Sequence, residues 1–426
     1  MQLTWWAARA VPEVTMSPST RHVLHVLNGA VGGAAKSTVD LAHALDDYGI
    51  RSTIYCMSRT GEDRLEQLRK EFGGAVVAGP LHLWHRRTRK PMWQRPALAA
   101  AQFGHSGLVV RSSLAVARAA RAAGVDMIHS STGLSPDGAV AAGHLGLPHV
   151  WHLRELVGPT GNVRLRGDRN GQVGRRVART GVAIANSNTT AKAWFADAVG
   201  SVTVVPNGIV VEGLTSIRQT ERGSDRLVFG MVANLSSTWK RHEDFVRAAA
   251  EVARVLPNSR FVVFGEIPDA RDPYVEALRT LVTEYKLGET FEFRGYVQSA
   301  VDAMGALDVL VHPSDWESFG RVFIEAGAAG KPVIGVRAGA ATEVVVHGET
   351  GLLCEPRDPS SLAGSMIELG RSDELRQRLG VGGRARVERL YTIDACASGV
   401  MDAYVRATAR PTRSLRLADA VLRTMR

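Results

Sequence analysis

Cysteine is scarce in this 426-residue chain: Cys56, Cys354 and Cys396 lie far apart, with no CxxC pair or His-rich segment beside them. That excludes a disulfide scaffold and a zinc site and suits a reducing compartment. No apolar run approaches the ~18–20 residues of a membrane span. Aromatics are 6% and charged residues 22% beside 45% hydrophobic residues, an ordinary globular balance that excludes a disordered or collagen-like chain. No D-x-D, HExxH or GxSxG occurs. The first absence removes support for a metal-bridged diphosphate site, the others for metalloprotease and serine-hydrolase chemistry. None of the seven lysines stands in a setting that suggests a pyridoxal Schiff base.

Acidic residues are missing locally. None occurs from Phe72 to Val125, where Arg86, Arg87, Arg89, Lys90, Arg95, Arg111, Arg118 and Arg121 stand. From Arg406 onward six arginines face Asp419 alone, and the net charge of +10 resides in these two stretches. A uniformly basic chain would suggest nucleic acid; two basic patches on a near-neutral body suggest a docking face, here an anionic membrane surface met by residues 86–121 and the C-terminal tail. A cytoplasmic protein, peripheral on the inner membrane face, is expected, with residues 1–20 as a disordered leader and not a secretion signal.

What is present is alternation. Buried-strand patterns at His22–Asn28, Arg51–Cys56, Ala75–Ala78, Asp126–Ser130, Pro148–His152, Val182–Asn186 and Val202–Val205 are separated by helical stretches, among them Ser37–Asp47 and Ser112–Ala123. After a turn-rich segment a second series follows at Leu227–Ala233, Arg260–Phe264, Thr290–Phe293, Asp308–His312, Pro332–Val336 and Gly351–Cys354. Pro359–Tyr391 reads as helix with breaks near Gly370 and Gly380, and 392–406 as a further helix. Such alternation predicts two α/β domains with parallel, doubly wound sheets, over 21–205 and 227–391, joined by a linker at 206–226 and followed by a C-terminal segment, 392–426. Ligands in such folds sit at the carboxyl ends of the strands, so the cleft between the domains is the expected site.

The sharpest pattern is Glu317-Ser-Phe-Gly-Arg-Val-Phe-Ile-Glu325, directly after the strand ending at His312. The two carboxylates are too far apart to grip one atom but suit two ends of an extended ligand, and amides at Phe319 and Gly320 suit an anion at a helix start. Gly32-Gly33 permits close backbone approach at another helix start. Lys36-Ser37 is no P-loop, because Ala30 and Ala35 occupy its glycine positions. His152 ends a strand and so points toward the cleft; His129 is a weaker acceptor-side candidate.

The stretch from His312 to Leu362, HPSDWESFGRVFIEAGAAGKPVIGVRAGAATEVVVHGETGLLCEPRDPSSL, resembles the signature of the retaining glycosyltransferases of family 4, the group 1 transferases with the GT-B fold. Gly32-Gly33, Ser187 after Ala185-Asn186, Pro206-Asn207-Gly208-Ile209 and Lys240 extend the resemblance over most of 22–390. It implies two Rossmann-like domains facing across a cleft, the second holding a nucleotide-sugar donor, UDP- or GDP-linked, and the first an acceptor. It implies that Glu325 holds the ribose hydroxyls and Glu317 faces the sugar, with Phe319, Gly320 and Arg321 offering backbone donors, Ser318 also at the donor and Lys240 neutralising the diphosphate. Backbone at Val297 would contact the base, and His152 would sit near the reacting sugar. Glu343 stands where many members carry a proline–glutamate pair, with Thr342 in place of the proline.

Family members commonly pair the lysine with an arginine five or six residues earlier, where this chain has Asn234; Arg241 is a candidate substitute. The expected activity is transfer of a sugar to a glycan or lipid-linked acceptor in cell-surface polysaccharide or glycolipid synthesis. No metal, further cofactor or nucleic acid is expected. A nucleotide-sugar epimerase of the same architecture and a donor-binding subunit weakened by Asn234 are the rival readings.

Overall fold

The computed structural model describes residues 20–421 apart from 31, 87–97, 159–162, 166–171, 197–201, 218–225, 237, 268–271, 411, 413 and 418. The expected leader therefore lies outside the described residues except for Thr20, which is buried. So do Arg87, Arg89, Lys90 and Arg95 of the basic stretch.

The first lobe runs β1 (His22–Leu27), α1 (Gly33–Asp46), β2 (Arg51–Met57), α2 (Glu62–Phe72), β3 (Ala75–Gly79), β4 (His85–Arg86), α3 (Leu98–Ala123), β5 (Met127–Ser130) and α4 (Asp137–Leu145). It continues with β6 (His149–Leu153), β7 (Arg164–Leu165), α5 (Gln172–Thr180), β8 (Val182–Ala185), α6 (Asn188–Phe195) and β9 (Val202–Val204). Seven strands form one sheet in the order β3-β2-β1-β5-β6-β8-β9, every pairing parallel. The apolar side chains of β1 are wholly buried, which is why the strand reads as a continuous hydrophobic run and not as an alternation. Two expected helices start earlier than predicted: α1 at Gly33, where the Gly32 φ of 93° turns the chain, and α3 at Leu98.

The second lobe runs β10 (Val228–Val232), α7 (His242–Val255), β11 (Arg260–Phe264), α8 (Pro273–Glu284), β12 (Phe291–Gly295), α9 (Ala300–Gly305) and β13 (Val309–His312). Then come α10 (Arg321–Ala328), β14 (Val333–Val336), α11 (Ala341–Val344), β15 (Gly351–Cys354), α12 (Pro359–Arg371) and α13 (Asp373–Leu390). Its six-stranded sheet has the order β12-β11-β10-β13-β14-β15, again parallel throughout. In both sheets the order reverses next to the first strand, and loops at that switch point face the other lobe.

Two segments cross between the lobes. Ile209 of the expected linker donates its amide to Tyr391 O (3.0 Å), accepts from the Ile393 amide (2.9 Å), and is buried with Leu214 against Phe319 in the second lobe's core. Helix α14 (Ile393–Thr408) returns to the first lobe, where Cys396, Val400, Met401 and Tyr404 pack with Val23, Leu41, Met127, Val150 and Ile184. The tail beyond it docks as well: Leu415 donates to Gly143 O (3.0 Å), and Ala420 and Val421 pack on Val109 and Val140. Arg406 is spent on Thr203 Oγ1 (2.6 Å) and Arg410 on Ala178 O (3.1 Å), so these two tail cations serve the fold. All three cysteines are buried free thiols.

The expected breaks near Gly370 and Gly380 resolve differently. The chain breaks once, at Ser372, whose hydroxyl accepts from Leu375 N to cap α13. Gly380 lies inside α13, where it permits contact: a Cβ there would stand 2.1 Å from Gly330 O at the end of α10. Gly380→Ala should therefore push α13 off α10 and lower unfolding stability by about 1–3 kcal/mol, measured by chemical denaturation, despite alanine's better helix propensity.

Candidate active site

Parallel pairing of β10 with β13 sets two loops side by side at the strand ends facing the first lobe. They are tied together by Asp315 N to Trp239 O (2.9 Å) and Ser314 Oγ to Trp239 O (3.3 Å). A short 3₁₀ turn (Thr238–Lys240) ends one loop and Glu317 lies in the other. Their side chains meet: Lys240 Nζ bonds Glu317 Oε1, and His312 Nε2 reaches the same oxygen at 2.8 Å. Burial alone would raise the Glu317 carboxyl, but the Lys240 charge and the His312 hydrogen bond outweigh it and hold the group well below the usual carboxylate range. His312 is pushed down by burial and by Lys240, against the pull of Glu317, and so donates as a neutral ring.

Four residues after Glu317, α10 begins. Gly320 takes φ 81°, and a Cβ there would lie 2.4 Å from the Phe323 ring, so only glycine makes this turn. No side chain caps the helix, and its first amides remain available to an anion. Phe319 buries its ring against Tyr391 (centroids 5.7 Å apart), leaving only backbone for the site. The Ser318 carbonyl faces the first lobe, accepting from Ser187 Oγ (2.6 Å) and Thr190 Oγ1 (3.2 Å).

Arg321 takes a part that its backbone assignment did not foresee. Its buried guanidinium donates to Glu325 Oε1 (2.7 Å), to Asp40 Oδ2 (2.5 Å) and to Ser37 Oγ (3.2 Å), joining α10 to α1 across the lobes. Glu343 makes a second junction. It accepts from Asn188 N (2.8 Å) and Thr189 N (2.7 Å) at the start of α6, a carboxylate placed on a helix N-terminus. Gln67 Nε2 donates to Tyr296 Oη (3.2 Å) in a third. The lobes are thus in contact around the site.

The remaining expected residues are dispersed. Gly32 and Gly33 lie exposed at the start of α1, four residues or more before Ser37 and Asp40. Val297 follows β12, half-buried against Val262, Phe264 and Ala303. His152 is completely buried, bonded through Nδ1 to His129 and Arg154, so it forms no open wall of the cleft in this arrangement. Asn234 accepts from Glu266 N (3.0 Å) through Oδ1 and thereby braces a neighbouring loop. Arg241 is held by Glu243 (2.6 Å) and Asp244 (2.9 Å), so it is no free substitute for an arginine at 234.

Sequence reasoning missed Asp40, Arg154 and Tyr404, and gave His312 no role. Asp40 lies seven residues after Gly33 with no motif around it, and Tyr404 is far away in the chain; only His312 and Arg154, flanking quoted motif residues, carried any local signal.

Comparison with known proteins agrees with this architecture. Residues 215–386 match the family model for glycosyl transferases group 1, and residues 31–212 that for glycosyltransferase family 4. The chain is 28% identical over 445 aligned residues to the D-inositol 3-phosphate glycosyltransferase of Acidothermus cellulolyticus, covering 98% of this chain and 95% of that protein. It is 32% identical over 159 residues to the N-acetyl-alpha-D-glucosaminyl L-malate synthase of Bacillus anthracis, a match spanning 37% of this chain and 40% of the relative. Among solved structures, Anabaena HepE in complex with UDP and glucose superposes with a TM-score of 0.68 at 21% identity, covering 90% of this chain and 98% of that one.

Two outcomes follow from the geometry. Because the folded Glu317 carboxyl sits below its ordinary 4.5, its share of stability is present above that pH and is lost as pH falls below it. Glu317→Gln should accordingly lose less stability than the wild type on acidification from about pH 4.5 to 3, by denaturant titration at each pH. Glu343→Ala leaves the Asn188 and Thr189 amides at the start of α6 without their acceptor and should open the lobes, read as a larger radius of gyration in solution scattering, with about 1–2 kcal/mol less stability.

Proposed function

Because this chain belongs to the group 1 glycosyltransferases of family 4, with their two-lobed GT-B fold, we propose that it moves a hexose from a UDP- or GDP-sugar to a glycan or lipid-linked acceptor, with retention of anomeric configuration and without a metal. One observation carries the reading: Lys240, Glu317 and the uncapped start of α10 converge at the strand ends that face the first lobe.

The chemical demand is charge. A departing nucleoside diphosphate gathers negative charge on its terminal phosphate, and an ammonium with free helix amides stabilises that charge more in the transition state than before it. Lys240 supplies the first and the amides around Gly320 the second. Glu317, kept ionised by Lys240, is an acceptor-only carboxylate suited to sugar hydroxyls. Glu325, whose second oxygen is left by Arg321, suits the ribose diol. UDP and glucose in the Anabaena neighbour favour a nucleotide-sugar donor here without naming this chain's own base or sugar. Asn234 and Arg241 are both committed elsewhere, so Lys240 is the cation assigned to the phosphates.

The acceptor side is the first lobe. Arg111, Arg118 and Arg121 are all exposed on α3, spaced seven and ten residues from the first and hence near one helical face. Each cation near an anionic surface contributes ~1 kcal/mol, which suits a cytoplasmic enzyme resting on the inner membrane leaflet over a lipid-linked acceptor. No helix among the described residues is long and apolar enough to cross a membrane.

Glu325→Ala should abolish donor-induced thermal stabilisation, which for a wild type at 100 times its dissociation constant amounts to ~2.7 kcal/mol. Unchanged stabilisation would remove the donor role from Glu325. Lys240→Ala should lower kcat about 100-fold on the donor that the wild type uses. Vesicles rich in anionic lipid should retain the protein at low salt and release it at high salt; equal retention by neutral vesicles would sink the membrane proposal.

A further inference from the structure

Behind the cleft, three buried side chains from distant parts of the chain form a line: His152 on β6, His129 on β5 and Tyr404 on α14. Tyr404 Oη stands 2.8 Å from His129 Nδ1, and His129 Nε2 stands 3.3 Å from His152 Nδ1. The two imidazoles stack with centroids 5.4 Å apart. Arg154 Nη2 approaches the same His152 Nδ1 at 3.2 Å.

These contacts fix the protons. A guanidinium has only N–H groups, so Arg154 donates and His152 Nδ1 accepts. Burial, reinforced by the Arg154 charge, pushes His152 well below its usual value; the ring is neutral and its one proton sits on Nε2. His129, neutral for the same reason, then donates from Nε2 and keeps Nδ1 to accept the phenol proton of Tyr404, which burial holds un-ionised. Each assignment forces the next. Two N–H groups of this network are left buried and without a partner among the described residues, His152 Nε2 and Arg154 Nε. A buried donor that its network leaves over is open to a ligand, and on His152 the Arg154 contact at Nδ1 fixes that donor at Nε2.

We propose that Arg154, and Tyr404 acting through His129, are positioning residues that lock His152 as an Nε2–H hydrogen-bond donor to an oxygen of the donor sugar or its phosphate, and bar it from acting as a base. The proposal rests on the transferase reading for the ligand it names, not for the proton positions. Tyr404 belongs to the helix that leaves the second lobe after Tyr391 and seats on the first, so the seating of that helix sets the proton of a residue in the other lobe's sheet.

The test uses the full chain labelled with ¹⁵N-histidine, without substrate, and His152→Gln to assign the ring signals. A pyrrole-type Nε2 and pyridine-type Nδ1 on His152 are expected; a proton on Nδ1 overturns the proposal. In Tyr404→Phe, the His129 nitrogens should move toward a tautomer mixture, and kcat should fall about tenfold while the donor KM stays within about twofold. Unchanged His129 signals in that variant overturn the relay. His152→Gln places an amide N–H where Nε2 stands and should keep more turnover than His152→Asn, whose amide falls near Nδ1; the reverse order counts against the donor role. The wild-type spectrum stands even where a variant fails to fold. An Nε2–H ring in a protein that transfers no sugar supports the locked tautomer and counts against the transferase reading instead.

Discussion

Glu317 is a carboxylate in a place where burial opposes charge, and it stays ionised because Lys240 and His312 lie against it. The site depends on this pairing. A buried carboxylate without its ammonium would take up a proton, and the ammonium without its carboxylate would have no fixed position. Neither residue is brought there by its neighbours in sequence. The adjacency of β10 and β13, strands separated by the whole of α7, β11, α8, β12 and α9, makes the pair.

A second constraint acts between the lobes. Three of the junctions place a charge or hydroxyl of one lobe against backbone or a counter-charge of the other: Arg321 with Asp40, Glu343 with the amides of α6, Ser187 with the Ser318 carbonyl. Two of the three touch the loop that carries Glu317 or the helix that carries Glu325. A ligand entering between the lobes at these residues would compete with contacts already made by Ser318 and Arg321, so its binding and lobe movement would share the same atoms. Arg321 illustrates the economy: one guanidinium orients Glu325 and at the same time grips α1.

Behind this contact zone, the first lobe is unusual in burying His25, His129, His149 and His152 in or beside one sheet. Burial strips each of its charge at neutral pH, converting a titratable residue into a fixed pair of donor and acceptor. The geometry then depends on α14, which supplies the phenol that ends the chain of hydrogen bonds.

Periodicity and turn chemistry determined the two parallel sheets almost strand by strand, because a strand buried on both faces must be a short continuous apolar run wherever it occurs. The same local logic located Gly320 and the loop from His312 to Glu325, since a left-handed turn before a helix demands glycine in the sequence itself. It failed at Gly380, where the glycine answers to Gly330 across a helix contact, and at Arg241, which looked like a spare cation until Glu243 and Asp244 were seen to hold it. Partnership was beyond its reach. Arg321 with Asp40, Glu343 with Asn188 and Tyr404 with His129 are separated by 281, 155 and 275 residues, and no periodicity links positions that meet only when two lobes close and a final helix crosses back. The sequence determined which groups the protein possesses and which strand ends carry them; the tertiary structure decided which of them are already engaged, because hydrogen bonds and ion pairs form between neighbours in space.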